Sequence, residues 1–335
     1  MKIAVVGAGS WGTTVAGLVG EHVDVVLWAR SAELAEAIER DRQNDRYLPG
    51  VGLPARLRCT ADLVDACTDA DVVVIGVPSH GFRDVVRAAG PCIARSAAVI
   101  SLAKGIEQGT LRRMTEVVAD ELPEHDATRI GVLTGPNLAR EVAAGQPTAS
   151  VVAVADDEIA KQLQQVFWAP HLRVYTNPDV IGCETAGALK NVLAIGVGIA
   201  DGLGYGDNTK AALITRGLAE LARLGVALGG DPLTFAGLAG MGDLIATCSS
   251  PQSRNRHVGV EIGRGRTLAE VLAEMNMVAE GVKSTEAVLA LAADAGVDMP
   301  LASFVGRVLY EGARPEDLVP ELMGRKAKPE LHGIR

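Results

Sequence analysis

Aromatic residues are scarce in this chain of 335 residues: four Phe, four Tyr and three Trp, 3% of the whole. Hydrophobic residues nonetheless reach 48%, so the core of a soluble globular protein must be built here from Ala, Val, Leu and Ile. Cysteine is also sparse. Cys59, Cys67, Cys92, Cys183 and Cys248 form no Cys-x-x-Cys pair and no spacing with His that would hold zinc, so no metal is expected and the thiols read as reduced and cytosolic. The six His lie in unrelated contexts, with no His-Glu-x-x-His motif, and there is no nucleophile elbow, which removes the case for a hydrolase. Positive charge is outnumbered, 32 Lys and Arg against 41 Asp and Glu, for a net charge of -9. That argues against a nucleic-acid or membrane-surface partner, but not against a phosphorylated small molecule, for which a few local cations suffice. No apolar run reaches membrane-spanning length unbroken, since the best candidate carries Lys190 and Asn191. Residues 1–20 superficially resemble a signal peptide, yet glycines break the run and a second strand pattern follows, so they read as a folded β-turn-α unit. Repeats and low-complexity segments are also missing. The length suggests two domains.

What is present begins with a β-branched run at residues 2–6, then Gly7-Ala8-Gly9-Ser10-Trp11-Gly12 and a stretch of small and apolar residues. Strand, glycine turn and helix in this order make the dinucleotide fingerprint. Gly7 serves the turn, Gly9 the approach of backbone to pyrophosphate and Gly12 the packing of helix on strand, with the helix N-terminus facing the phosphates. A second strand at 23–28 ends in Ala29-Arg30-Ser31, where an NAD-specific enzyme usually carries an acid for the ribose hydroxyl. A guanidinium and a hydroxyl suit a 2′-phosphate, which favours NADP(H); Glu33 nearby keeps NAD(H) possible. Residues 41–56, punctuated by Gly and Pro, read as a loop. Further strands are expected at 71–78, closed by a helix start at Ser79-His80, and at 97–102. The latter delivers Lys104, either a ligand-facing cation at a strand end or an ordinary solvated lysine. A strand at 129–134 ends in Gly135-Pro136-Asn137, and strands at 148–155 and 172–176 flank a helix at 156–167. Alternation stops near Pro178. The fold class expected is therefore α/β: a Rossmann-type, doubly wound, mostly parallel sheet over residues 1–178, followed by an all-α domain over 179–335.

The second domain opens on a run of helical length, residues 184–200, apolar all round except for Lys190 and Asn191. Such a helix should be buried, with Gly187, Asn191, Ala194 and Gly198 on one face open to another backbone. A lysine held there either snorkels to water or loses pKa units and becomes fit for proton transfer. A glycine-rich turn at 201–208 and a helix at 209–224 follow. Residues 235–250 bring more glycine around Asp243 and Thr247, a composition that suits close approach of a backbone or ligand. Ser253-Arg254-Asn255-Arg256-His257 opens another helix, a phosphate cradle or a plain N-cap with solvated arginines. Residues 279–285 read as a glycine-containing break before the last helices, and residues 324–335 as a basic, frayed tail.

Taken together, these stretches closely resemble the NAD(P)-dependent glycerol-3-phosphate dehydrogenases of the bacterial biosynthetic type. The matching segments are Gly-Ala-Gly-Ser-Trp-Gly-Thr (7–13), Ser-Leu-Ala-Lys-Gly-Ile-Glu (101–107), Gly-Pro-Asn-Leu-Ala-Arg-Glu-Val-Ala (135–143) and Ala-Leu-Lys-Asn-Val (188–192). They continue with Gly-Leu-Ala-Gly-Met-Gly-Asp-Leu (237–244), Ser-Arg-Asn (253–255) and Val-Ala-Glu-Gly-Val (278–282). The resemblance implies reversible hydride transfer between a nicotinamide and the carbon shared by dihydroxyacetone phosphate and sn-glycerol 3-phosphate. It implies that Lys190 donates and accepts the proton, that Lys104 lies beside substrate and nicotinamide, and that Gly135, Asn191, Asp243 and Thr247 line the site. Lys190, Lys104 and Asp243 form the implied catalytic set. Ser253, Arg254 and Asn255 would hold the substrate phosphate. Gly7, Gly9, Ser10, Trp11, Gly12, Arg30, Ser31, Lys104, Asn137, Ala139, Arg254, Val278 and Glu280 are the implied cofactor residues. The family often has Ser in place of Asn137, and a second basic residue in place of Ser31, which bears on cofactor choice. The resemblance further suggests a cytoplasmic homodimer that supplies glycerophospholipid synthesis. Two other functions fit the same pattern: another two-domain β-hydroxyacid or ketoacid reductase whose substrate need not be a phosphate, and a non-catalytic NADPH-sensing protein.

Overall fold

A computed structural model describes residues 1–275, 279–327 and 329. The chain divides into two compact units, one formed by Met1–Ala103 with Arg113–Val180 and the other by Lys104–Arg112 with Ile181–Arg335.

The first unit is built on an eight-stranded sheet. Its strands are β1 (Lys2–Val6), β2 (Asp24–Trp28), β5 (Leu57–Thr60), β6 (Val72–Ile75), β7 (Ala98–Ser101), β8 (Ile130–Thr134), β9 (Thr148–Val154) and β10 (Leu172–Asn177). They lie in the order β10-β9-β8-β7-β6-β1-β2-β5, and every pairing is parallel except β8 with β9. The strand order reverses between β1 and β6, the switch point at which doubly wound sheets take a dinucleotide. Both faces of the sheet are covered, which explains the unbroken apolar runs. Ile3 and Val5 pack with Val15 and Val19 of the Ser10–Gly20 helix, while Ala4 and Val6 pack on the other face with Phe82 and Val86.

Two features of this unit depart from the sequence expectation. Residues 41–56 are not simply a loop, since β3 (Gln43–Asn44) and β4 (Leu48–Gly52) pair as an antiparallel hairpin. Its fixing point is Asn44, buried, whose Nδ2 donates to Ala8 O at 2.9 Å and to Thr13 Oγ1 at 2.7 Å. Strand β5 is the other addition: four residues are too few to display a period, and its placement comes from pairing with β2.

In the second unit the Val180–Gly202 helix is wrapped by other helices, with Gly182 through Ala200 buried. By length and composition alone it could cross a membrane, although Lys190 and Asn191 interrupt its apolar run. Burial is what marks it as a core helix, 89% of its most apolar stretch being inside the protein. The Arg254–Gly263 helix packs directly on it. A Cβ at Gly198 would lie 2.4 Å from Arg256 O, and one at Gly259 only 2.1 Å from Ile195 O, so backbone meets backbone at both places. The expected break at 279–285 is instead the start of the Glu280–Asp294 helix, with Ala279 at its N-cap. Gly281 is there for contact rather than for flexibility, because a Cβ would strike Asn191 O at 2.5 Å. Segment Lys104–Arg112 also belongs to this unit, where Ile106 joins the helical core, an association a linear division at residue 178 does not contain.

Candidate active site

Lys190 sits in the middle of the buried helix at 5% exposure. Its ammonium donates to Asp243 Oδ1 and, at 2.7 Å, to Thr247 Oγ1. Both partners come from one short helix, Asp243–Ser249, where a separation of four residues stacks them on one side. Thr247 Oγ1 in turn donates to Asp243 O at 2.6 Å, which turns the hydroxyl lone pair toward the lysine. A π-helical turn, Leu238–Gly242, leads into Asp243, with Gly242 N donating to Gly237 O. Turns of this kind are rare and recur at functional sites. The glycines of residues 237–242 are used here: a Cβ at Gly240 would meet Phe235 O at 2.2 Å.

Asp243 serves two cations. Its Oδ2 accepts from Lys104 Nζ at 2.7 Å, so one carboxylate, 2% exposed, bridges both lysines. Burial pushes Lys190 down to about 7; the Asp243 charge pulls the other way and the second ammonium of Lys104 adds to the fall. An amine at that value exchanges a proton readily in either direction near neutrality.

A chain of amides runs from the same place. Asn191 Nδ2 donates to Lys104 O at 2.9 Å, Asn255 Nδ2 to Asn191 Oδ1 at 2.9 Å, and Gly281 N to Asn255 Oδ1 at 2.9 Å. Ser253 is the N-cap of the Arg254–Gly263 helix, its hydroxyl accepting from Arg256 N at 3.2 Å. Of the two readings of Ser253-Arg254-Asn255, the helix cap is the one observed here. Desolvation lowers the Arg254 guanidinium from its ordinary value and Glu280 opposes the fall; the group stays charged at any working pH, and solvent reaches its side chain. Arg256, by contrast, is turned to Asp201 at the end of the Lys190 helix.

The first unit carries the glycine loop. Gly7 has φ of +123°, and a Cβ at Gly12 would fall 2.0 Å from Gly7 O, so turn and packing glycines are both required. A Cβ at Gly9 would meet nothing within 4 Å, which leaves open space over the N-terminus of the Ser10–Gly20 helix. Ser10 Oγ donates to Tyr47 O at 2.6 Å, so the hairpin steadies this loop from outside; neither Asn44 nor Tyr47 had a sequence signal beyond a polar, turn-rich stretch. Thr14 Oγ1 donates to Ala139 O at 3.3 Å, which brings the 139–143 helix against the fingerprint helix. Trp11 Nε1 and Asn137 Nδ2 are buried donors without a partner among the described residues. Gly135 has φ of +121°, and Asn137 Oδ1 accepts from Ser150 Oγ at 2.7 Å, leaving its amide group directed elsewhere. Free donors beside an open glycine turn are what a dinucleotide would satisfy. Arg30 is exposed, whereas the Ser31 hydroxyl accepts from Leu34 N at 3.3 Å as a helix cap and keeps its proton to donate. Glu280 opens a helix of the second unit, and Val278 lies outside the described residues. No cluster of His, Cys, Asp and Glu able to hold a metal occurs among the described residues.

Comparison with known proteins agrees over nearly the full length. Residues 2–160 match the model of the NAD-dependent glycerol-3-phosphate dehydrogenase N-terminus, and residues 179–320 that of the C-terminus. A glycerol-3-phosphate dehydrogenase [NAD(P)+] of Sphingopyxis alaskensis is 53% identical over 332 residues, 99% of each chain. One of Streptomyces coelicolor is 52% identical over 331 residues, 98% of each chain. The crystal structure of glycerol-3-phosphate dehydrogenase from Coxiella burnetii superposes with a TM-score of 0.91 at 40% identity, covering 97% of this chain and 99% of that one. A ketopantoate reductase from Ralstonia eutropha, at 18% identity and a TM-score of 0.58, shares the fold alone. With both halves matched in order and relatives of this identity end to end, the chain belongs to the NAD-dependent glycerol-3-phosphate dehydrogenase family.

Proposed function

We propose that this protein catalyses the reversible NAD(P)-dependent interconversion of dihydroxyacetone phosphate and sn-glycerol 3-phosphate. The observation that carries the reading is the buried Lys190, held near neutrality and tied through Asp243 to Lys104. When bound, the nicotinamide supplies or removes the hydride. The protein must do the rest. Arg254 and Asn255, with Ser253 at the helix start, bind the phosphate and fix the ketone relative to the lysines. Lys190 Nζ passes a proton to the C2 oxygen as the ketone is reduced, and takes it back in the oxidation. Asp243 holds the ammonium in place; once the proton has left, its carboxylate still has Lys104 as a partner, so no buried charge is stranded. Lys104, Gly135, Asn191 and Thr247 complete the polar lining.

In the same proposal residues 1–178 form the dinucleotide-binding domain and residues 179–335 the substrate and catalytic domain. Gly7, Gly9, Ser10, Trp11, Gly12, Asn137, Ala139 and Glu280 serve the cofactor, while Arg30 and Ser31 favour NADP(H) with NAD(H) still accepted. The working form is a cytoplasmic homodimer with no insertion into membranes, supplying glycerophospholipid synthesis. The test is absorbance of the reduced nicotinamide with pure protein and dihydroxyacetone phosphate, NADPH and NADH side by side. Consumption that Lys190→Ala removes is expected. Its absence in the wild type would overturn the reading in favour of a cofactor sensor.

A further inference from the structure

The Glu280–Asp294 helix begins in an unusual way. Its N-cap is Ala279, which has no side-chain oxygen with which to cap the first turn. One N–H and two carbonyls of this turn are held by side chains from elsewhere in the unit. Gly281 N donates to Asn255 Oδ1 at 2.9 Å. The Tyr310 hydroxyl, from the Pro300–Tyr310 helix, donates to Val282 O, and Gln108 Nε2 donates to Lys283 O at 2.8 Å. A carbonyl inside a helix is already served by the N–H four residues on, so further donors from two separate segments are attachments of this turn and not repairs to it. Burial pushes the Tyr310 phenol up to about 12, so it remains a donor at any working pH.

What the turn supports is the phosphate cradle. Asn255 leans on Gly281 N, and Glu280, the first residue of the same turn, is the acid whose charge acts on the Arg254 guanidinium. Gly281 also lies against Asn191 O, with no room for a Cβ. We infer that Tyr310 and Gln108 are positioning residues that hold the Glu280–Lys283 turn, and through it Arg254 and Asn255, in the arrangement that binds the substrate phosphate. The inference rests on the reading of Arg254 and Asn255 as that cradle. Neither residue is asked to touch substrate, and each acts through one hydrogen bond.

The experiment compares Tyr310→Phe, Gln108→Leu and Arg254→Gln with wild type. Three quantities are read for each: KM and kcat for dihydroxyacetone phosphate, kcat/KM for unphosphorylated dihydroxyacetone, and Ki for inorganic phosphate as a competitive inhibitor. Loss of one hydrogen bond should raise the KM and the phosphate Ki by roughly five- to tenfold, with kcat changed by less than about twofold. In Tyr310→Phe and Gln108→Leu the turnover of dihydroxyacetone should stay at the wild-type level, which a merely loosened fold would not allow. Gln108 is exposed, so its variant folds even if Tyr310→Phe is impaired. Equal losses on both ketones, or an unchanged phosphate Ki in Gln108→Leu and a folded Tyr310→Phe, would overturn the positioning role. If Arg254→Gln itself keeps full preference for the phosphorylated ketone, the cradle assignment fails first.

Discussion

Lys190 owes its lowered pKa to burial: the helix is apolar on every side and the ammonium reaches Asp243 and Thr247 but not bulk water. With the group titrating at about 7, the two directions of the reaction should respond oppositely to pH. In the proposed mechanism ketone reduction uses the ammonium, so its kcat/KM should fall about tenfold per pH unit above 7, while oxidation uses the amine and should rise to a plateau over the same range. Lys190→Ala should lower both about a hundred- to ten-thousand-fold, measured by steady-state kinetics. Stability follows from the same shift. The folded pKa lies below the ordinary 10.5, so between about 7 and 10.5 the unfolded chain holds a proton that the folded chain does not. Stability contributed by this group therefore rises with pH through that window, and below 7 the full cost of burying the charge is borne. Urea titrations of wild type and Lys190→Met should show a difference that favours the variant most at pH 7 and shrinks by pH 9. A difference constant with pH would show that the lysine keeps its ordinary pKa.

Among the elements, the pair formed by the Val180–Gly202 and Arg254–Gly263 helices does most to assemble the candidate site, because it bonds Asn191, next to Lys190, to Asn255, next to Arg254, within one unit. Gly259→Ala would put a methyl carbon 2.1 Å from Ile195 O, and backbone cannot yield as a side-chain tip can. The expected cost is about 1–3 kcal/mol in urea unfolding, with a raised KM for dihydroxyacetone phosphate because the cradle moves with its helix. Stability lost without any change in KM would separate the packing from the site. Much of this pairing was legible in the sequence. An apolar run carrying Lys190 and a face of small residues announced a buried helix approached by a backbone, and Ser253 before Arg254 announced a helix start. Strands β1, β2 and β6 to β9 were legible for a similar reason, since a strand buried on both faces must be an apolar run, whereas β10 showed by alternation, Leu172 and Val174 buried between exposed Arg173 and Tyr175. What escaped depends on partners distant in sequence. Asn44 looks like any loop asparagine until the glycine loop lies beside it, and Gly281 looks like a breaker until Asn191 O occupies the space of its missing side chain. Tyr310 and Gln108 carry no local pattern at all.

For the whole molecule, the net charge of -9 is spread over a surface laced with exposed ion pairs such as Arg58–Asp65 and Arg314–Asp317, each of which contributes little to stability. Ligands should therefore move the melting temperature more than surface charge does. A cofactor present at a hundred times its Kd adds about 2.7 kcal/mol to the stability of the state that binds it. Choice between the two cofactors then becomes measurable as a difference in Tm. Arg30 is exposed at the end of β2, Ser31 retains a hydroxyl proton beyond its capping bond, and Glu33 in the first turn of the next helix is the one nearby acid that could instead take a ribose hydroxyl. A guanidinium bond to a 2′-phosphate is worth about 1.5–3 kcal/mol, which should make NADPH bind roughly ten- to a hundredfold more tightly than NADH. At equal concentrations NADPH should thus raise the Tm further, and Arg30→Ala should erase most of the difference while leaving the NADH shift nearly intact. Equal shifts by the two cofactors in the wild type would show that Arg30 confers no preference, and a larger shift by NADH would point to Glu33 holding the ribose, in which case Glu33→Gln should weaken NADH alone.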